Sequence, residues 1–529
     1  MVFDTEKISL EQTGLLSPLL RDYLYNSEKV RHLFSFFPEK ESVPAAIAQK
    51  QQQHIDRAAL ANILLAQATS RNASAATLAN IAQIKDENTF TVTCAHQPTL
   101  LFHPAFYFHK IASTIALAKE LKASFGAYNF VPVFWLGSED HDLEELGSAT
   151  VGGLAVSWQT AQTGAVGRFL IDDSFKQVIA EFKQAAPNLN IHLLMEEALQ
   201  HTQHFGAFAA YVTQAFFKEE GLVVLNQDCP QLKMQFASVI EDEILHSRAE
   251  AVLQPTLQFL EGNYKAQASV RPINFFYLGK NYRERIVRQG EDSFAVLNRQ
   301  ETFTRESIKT AIAETPENFS PNVIFRPLYQ ETVLPNVAFV GGGAECSYWL
   351  QQKALFDYYK VAFPIVLHRT PVVVLPQNVV RKMSKLQLNT ESVFKQQDAF
   401  VKGYLEENFG NEISLKEATE AIAQTFAFIE EKLAAIDSTL AMSVKAEKQK
   451  ALAAVAQLEG KGIKALKRKS ETVVEQLTAI HQAFFVAGAL QERKLNFFDL
   501  PEAEKLLATI LANSNPFEKN LIVVKPQSI

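Results

Sequence analysis

Residues 90–142 read FTVTCAHQPTLLFHPAFYFHKIASTIALAKELKASFGAYNFVPVFWLGSEDHD, and this stretch decides the fold. Phe90–Cys94 is a short Thr/Val run, which is strand-like. Pro98 interrupts the pattern, and Pro104 opens a helical stretch from Ala105 to about Lys122. Proline suits a first helical position because its missing N–H would have no partner there. Phe130–Leu136 is a second strand, closed by the polar loop Gly137–Asp142. Strand, helix and strand make a βαβ unit. Ligands of doubly wound sheets bind beyond the C-terminal strand ends, where Ala95–His103 and Gly137–Glu145 would both lie.

Outward from this unit, Leu222–Asn226, Phe363–Leu367 and Val372–Leu375 read as further buried strands. The fold class is therefore α/β: a Rossmann-like parallel-sheet core at residues 88–389, with insertions near 146–215 and 255–320. Residues 1–87 read as a helical segment packing on that core, with Ala45–Gln67 as one helix. Leu415–Phe485 contains no proline, and Ile429, Leu433, Ile436 and Leu440 are spaced 4, 3 and 4. Such spacing signals an α-helical coiled coil, placed at 390–495. Asp437-Ser438-Thr439 offers a break between two antiparallel helices. One apolar seam needs a partner, and a second copy is the simplest one, giving a homodimer. Leu521–Val524 reads as a strand in a C-terminal segment, 496–529, returning to the core.

The chain has 529 residues, 51 Lys+Arg and 58 Asp+Glu, a net charge of −7, and 47% hydrophobic residues. This composition excludes a disordered chain. Cys94, Cys229 and Cys346 are too few for a disulfide scaffold and point to a reducing cytoplasm. MVFDTEKISL lacks an apolar signal region, and no apolar run approaches the length of a membrane span. A pI of 6.0 argues against a general nucleic-acid binder.

Four groups of residues could carry chemistry. Glu139, Asp140, His141 and Asp142 set three carboxylates beside an imidazole at a strand end; they could act as acid or base, hold Mg²⁺ or grip an ammonium group. The bland reading is a solvated acidic loop. In the turn after the first strand, His96 and Gln97 could donate to phosphate oxygens beside a helix N-terminus. Cys94, His96, His103, His109 and His141 do not have zinc-pair spacing, so no metal site is assigned. In Ser320–Leu350, Gly341, Gly342 and Gly343 allow close backbone approach to a ligand. Lys110 and Glu345 complete this nucleotide-binding set. Arg326 could fork onto a carboxylate or phosphate. Tyr329, Gln330, Glu331, Asn336, Tyr348 and Trp349 complete a substrate-binding set. Lys382-Met383-Ser384-Lys385 matches the lysine loop of class I aminoacyl-tRNA synthetases over four residues only, which reads as coincidence. Lys461–Lys469 reads as a solvated coiled-coil face.

Taken together, VTCAHQPTLLFHPAFYFHKI, FVPVFWLGSEDHDLEEL, SPNVIFRPLYQETVLPNVAFVGGGAECSYWLQ, LEGKGIKALKRKSE and LQERKLNFF resemble one family, the bacillithiol biosynthesis cysteine-adding enzymes (BshC). The resemblance implies a Rossmann-like core, a dimerising coiled coil, and the last step of bacillithiol synthesis. In that step the carboxyl of L-cysteine is joined to the amine of glucosaminyl-malate. ATP is the expected co-substrate, giving a cysteinyl-adenylate, with the nucleotide between His96-Gln97 and Gly341–Gly343. Glu139, Asp140 and Asp142 are expected to hold the cysteine ammonium or Mg²⁺. His141 is expected to deprotonate the amine, and Arg326 to hold malate carboxylates or a phosphate. The family's first turn carries glycines where this chain has Ala95, Thr99 and His103, and bulkier residues narrow a backbone cradle there. Two other readings stay open: another nucleotide-dependent nucleotidyl or acyl transferase, and a non-catalytic nucleotide-binding coiled-coil scaffold.

Overall fold

The computed structural model describes residues 2–25, 28–186, 189–409 and 415–527. The chain opens with strand β1 (Phe3–Ser9) and helices α1 (Val43–Gln51) and α2 (Arg57–Thr69). The central unit follows as β2 (Thr89–His96), α3 (Phe106–Ser124) and β3 (Asn129–Leu136). A hairpin, β4 (Ser148–Val151) and β5 (Leu154–Ser157), and three helices then lead to β6 (Val223–Asn226). A second insertion carries β7 (Phe275–Gly279), β8 (Tyr282–Arg288), β9 (Ser293–Val296), β10 (Thr302–Thr304) and β11 (Phe319–Pro321). The core resumes with α4 (Arg326–Val333), β12 (Asn336–Gly341), α5 (Gly343–Gln351) and β13 (Ile365–His368), followed by β14 (Val372–Val374). The last third holds α6 (Lys416–Ala434), α7 (Leu440–Lys469), α8 (Glu471–Phe484), the hairpin β15 (Phe485–Val486) and β16 (Ala489–Leu490), and β17 (Asn520–Pro526).

The core sheet has the order β13-β12-β2-β3-β6, and every pairing in it is parallel. The register from Thr89↔Asn129 to His96↔Leu136 brings the C-terminal ends of β2 and β3 level. Both faces of the sheet are covered, which explains why its strands read as continuous apolar runs. Along β3, Phe130, Phe134 and Leu136 enter one core while Val131, Val133 and Trp135 enter the other, the period of two that a pleated strand imposes. Phenylalanine fills much of the first core: Phe108 stacks on Phe497 at 4.7 Å and meets Phe498 edge-on at 5.3 Å.

Three sequence expectations are corrected. The N-terminal segment is not wholly helical, because β1 pairs antiparallel with β17. Ala45–Gln67 forms two helices, because the Asp56 carboxylate caps α2 through the Ala59 N–H at 2.9 Å. Val372–Val374 leaves the core sheet and pairs with β17, so a three-stranded sheet, β1-β17-β14, joins the two ends of the chain. The returning strand β17 is the middle strand of this sheet, and its Ile522 and Val524 pack into the first core. The second insertion contains an antiparallel sheet of order β10-β9-β8-β7-β11, formed from strands of three to seven residues. The break at Asp437 is as expected: its carboxylate accepts the Thr439 N–H at 2.8 Å between α6 and α7. Lys461, Lys464 and Arg468 are exposed on α7, while the side chains of Lys467 and Lys469 lie outside the described residues.

Buried ion pairs tie the segments together. Lys50 on α1 meets Glu331 at 3.2 Å, and both side chains are buried. Glu331 also accepts from Gln330 (2.9 Å) and Asn336 (2.8 Å), and Asn336 accepts from Thr91 and Thr93 on β2. Removing one partner of such a pair leaves an uncompensated buried charge. Lys50→Ala is expected to cost about 3–5 kcal/mol in urea unfolding; a loss below about 1 kcal/mol would contradict this account. Burial also pulls His96 and His368, at the ends of β2 and β13, down to about 4. The unfolded chain then binds more protons than the folded one between those values and the ordinary 6.5. Stability is full above that range and falls as pH drops through it, by about 1.4 kcal/mol per pH unit for each histidine. His368→Gln should remove about one proton of uptake from the pH dependence of the urea midpoint; an unchanged slope would refute the assignment.

Candidate active site

The chain runs from β2 outward to β3 and β6, then jumps back to place β12 and β13 on the other side of β2. The boundary between β2 and β12 is therefore the topological switch point, where the connecting loops diverge and leave a crevice. A cavity of about 640 Å³ opens there. Its walls carry six cationic side chains, Lys110, Arg271, Arg283, Arg326, Arg369 and Arg493, against three carboxylates, Asp140, Glu145 and Glu345.

Lys110 holds the switch point together. It projects from the second turn of α3, and its buried ammonium donates to Ala95 O at 2.9 Å and to Glu345 Oε2 at 2.5 Å. One bond reaches the end of β2, and the other reaches the first turn of α5 after β12. Glu345 also accepts the Gly342 N–H at 2.8 Å. Burial would raise the Glu345 carboxyl, but the Lys110 charge and these hydrogen bonds outweigh it and lower it below the usual range. His96 is kept neutral by burial and by the Lys110 charge. It rests against Phe106, with ring centroids 5.4 Å apart.

The opposite wall is built by the loop after β3 and by the second insertion. Asp140 accepts from Gln97 Nε2 at 3.1 Å and from the His141 N–H at 2.7 Å. Burial opposes ionisation, yet His141, Arg283 and Gln97 together hold the carboxyl far below its ordinary value. The loop is pinned from behind, where Val166 N–H donates to Asp140 O at 2.7 Å. A side chain at Gly167 would collide with Ser138 O, so the insertion can lie this close only with glycine there. Arg283 on β8 donates to Ser320 Oγ (3.0 Å) and Pro321 O (3.1 Å) while lying 3.9 Å over Phe276. Arg326 donates to Gln330 Oε1 (3.0 Å) and Tyr348 OH (3.3 Å).

Of the residues expected from sequence, His96, Gln97, Lys110, Asp140, Arg326, Gly342, Gly343, Glu345 and Tyr348 line this one cavity. Others do not reach it. Glu139 turns inward to a buried pair with Lys233 at 2.7 Å. Asp142 caps a short helix through the Glu145 N–H. His141 stands at the rim, 3.2 Å from Arg283. Gly341 is sealed by Phe339 and Cys346, and no room remains for a side chain. Tyr329 donates its hydroxyl to Gln227 O, and Trp349 stacks on Phe339 at 4.3 Å, both within the core. Gln330, Glu331 and Asn336 form the buried network beneath the site rather than its surface. Lys382–Lys385 lies in a helix whose Val379 and Met383 pack under the three-stranded sheet, away from the cavity. Sequence reasoning missed Phe106, Arg283, Arg369 and Arg493. Arg369 follows β13, so the strand-end rule that selected Asp140 would have found it.

Comparison with known proteins agrees with this architecture. The profile of the bacillithiol biosynthesis BshC N-terminal Rossmann-like domain matches residues 3–370, and that of the BshC C-terminal coiled-coil domain matches residues 372–526. Proteins named "Putative cysteine ligase BshC" from Flavobacterium johnsoniae and Flavobacterium psychrophilum are 32% and 33% identical, each over 98% of this chain and 99% of theirs. One of the same name from Cytophaga hutchinsonii is 34% identical over 94% of both chains. With both domain profiles matched in order over nearly the whole length, the chain belongs to the BshC family of bacillithiol biosynthesis.

Proposed function

We propose that this chain is a cysteine ligase that joins the carboxyl of L-cysteine to the amine of glucosaminyl-malate, using ATP for activation. The observation that carries the reading is the switch-point cavity, where six cations face three carboxylates, two of which, Asp140 and Glu345, are held ionised. The residues suit a nucleotide: α5 starts at the cavity, its first-turn N–H groups have no intrahelical acceptor, and Arg369 Nε is buried with no hydrogen-bond partner among the described residues. ATP would supply a leaving group, converting the cysteine carboxylate to a mixed anhydride with AMP as pyrophosphate departs.

In this reading Asp140 grips the cysteine ammonium; with Gln97 and the loop N–H fixing its oxygens, the carboxylate needs no reorganisation to do so. Lys110 and Arg369 offset charge on the activated group. Arg283 and Arg326, on the far wall, suit the two malate carboxylates through their planar forks. The amine nitrogen attacks the acyl carbon, the acyl–oxygen bond to AMP breaks, and His141 at the rim takes the released proton. Two copies pair along the hairpin, where Phe428, Ile436 and Met442 stand exposed.

Asp140→Asn keeps the shape of the loop and removes the charge. With ATP, cysteine and glucosaminyl-malate, mass spectrometry should show AMP and an amide product for the wild type, and ligation at least a hundredfold slower for the variant at unchanged thermal stability. Equal rates would retire the reading. AMP without amide would instead indicate another transferase, and no turnover with tolerance of the substitution a binding scaffold.

A further inference from the structure

The turn below the helical hairpin, Gln491–Arg493, is driven into the core. Val374 N–H donates to Gln491 Oε1 and Gln491 Nε2 donates to Val374 O, both at 2.8 Å, so one amide stands in for a neighbouring strand along β14. Glu492 accepts from Arg369 through two bonds of 2.8 and 2.5 Å, from the Val372 N–H at 3.0 Å, and lies 2.9 Å from His109 Nδ1. Farther on, Ala105 N–H donates to Leu495 O at 2.8 Å, and Asn496 donates to Leu101 O at 3.0 Å. The segment after the hairpin therefore holds both Arg369 and the turn that starts α3.

At the cavity, three cations surround Phe106: Arg369 at 5.1 Å, and Lys110 and Arg493 each at 5.8 Å from the ring centre. Two of the charges are answered, Lys110 by Glu345 and Arg369 by Glu492. Arg493 has no hydrogen bond or ion pair among the described residues. Arg369 is 2% exposed, yet its Nε has no hydrogen-bond partner among the described residues. That nitrogen is 4.0 Å from where a side chain on Gly342 would stand, beside the start of the nine-residue α5. One positive charge is thus left over, next to an unused buried donor and a helix N-terminus, an arrangement that stabilises an anion.

We infer that Arg493, carried in from the coiled-coil domain, and Arg369 form a phosphate subsite for the polyphosphate of the nucleotide, so that the cavity is complete only when both domains are docked. The inference rests on the nucleotide-dependent reading above. Burial and the like charge of Arg369 lower the Arg493 pKa, a repulsion that a bound phosphate relieves.

Titration calorimetry of the full chain with ATP, sodium pyrophosphate and adenosine tests this. Arg493 makes no hydrogen bond or ion pair among the described residues, so Arg493→Ala keeps the fold. It should weaken ATP and pyrophosphate at least tenfold and leave adenosine unchanged, and Arg493→Lys should recover part of the loss. Wild-type affinity for ATP and pyrophosphate in the alanine variant overturns the inference while leaving the ligase reading intact. Pyrophosphate binding that depends on Arg493, without ATP binding, upholds the subsite and defeats the nucleotide reading. Absence of pyrophosphate binding to the wild type overturns the subsite.

Discussion

A lysine ammonium buried between two chain segments is costly unless each side supplies an acceptor. Lys110 meets that condition at the one place in the sheet where the segments diverge. Ala95 O comes from the strand that begins the outward run, and Glu345 comes from the helix that begins the return. The bond pair keeps the crevice at a fixed width and sets the charges around it. Glu345 stays ionised, His96 stays neutral, and the Gly342 N–H is used to hold Glu345 rather than left for a ligand.

From that constraint the division of labour follows. The core strands supply the floor and the Lys110 wall. The first insertion pins the Asp140 loop, and the second brings Arg283 across from an antiparallel sheet. The foot of the hairpin supplies Arg493 and the carboxylate that anchors Arg369. Arg493 comes from the coiled-coil domain, and the other lining residues come from the Rossmann-like domain.

Much of this was legible in the sequence, for physical reasons. Parallel strands buried on both faces betray themselves as apolar runs, so β2, β3, β6 and β13 were readable, and the strand-end rule put His96, Gln97 and Asp140 near one another. The hairpin break at Asp437 was readable from cap chemistry. What the pattern could not show was which neighbour in a polar run faces the cavity. Glu139 and Asp140 are adjacent, yet one points to buried Lys233 and the other to Gln97. β14 looked like a core strand because an apolar triplet carries no label for its sheet. Arg283 and Arg493 were invisible because their placement depends on contacts between distant segments.

The measurement that bears most directly on the Lys110 crevice as the place where cysteine is activated is cysteine-dependent exchange of labelled pyrophosphate into ATP, without glucosaminyl-malate, for the wild type and Lys110→Met. Exchange in the wild type and its loss in the variant, with folding intact, is the predicted result. Exchange at the wild-type rate in Lys110→Met would contradict it.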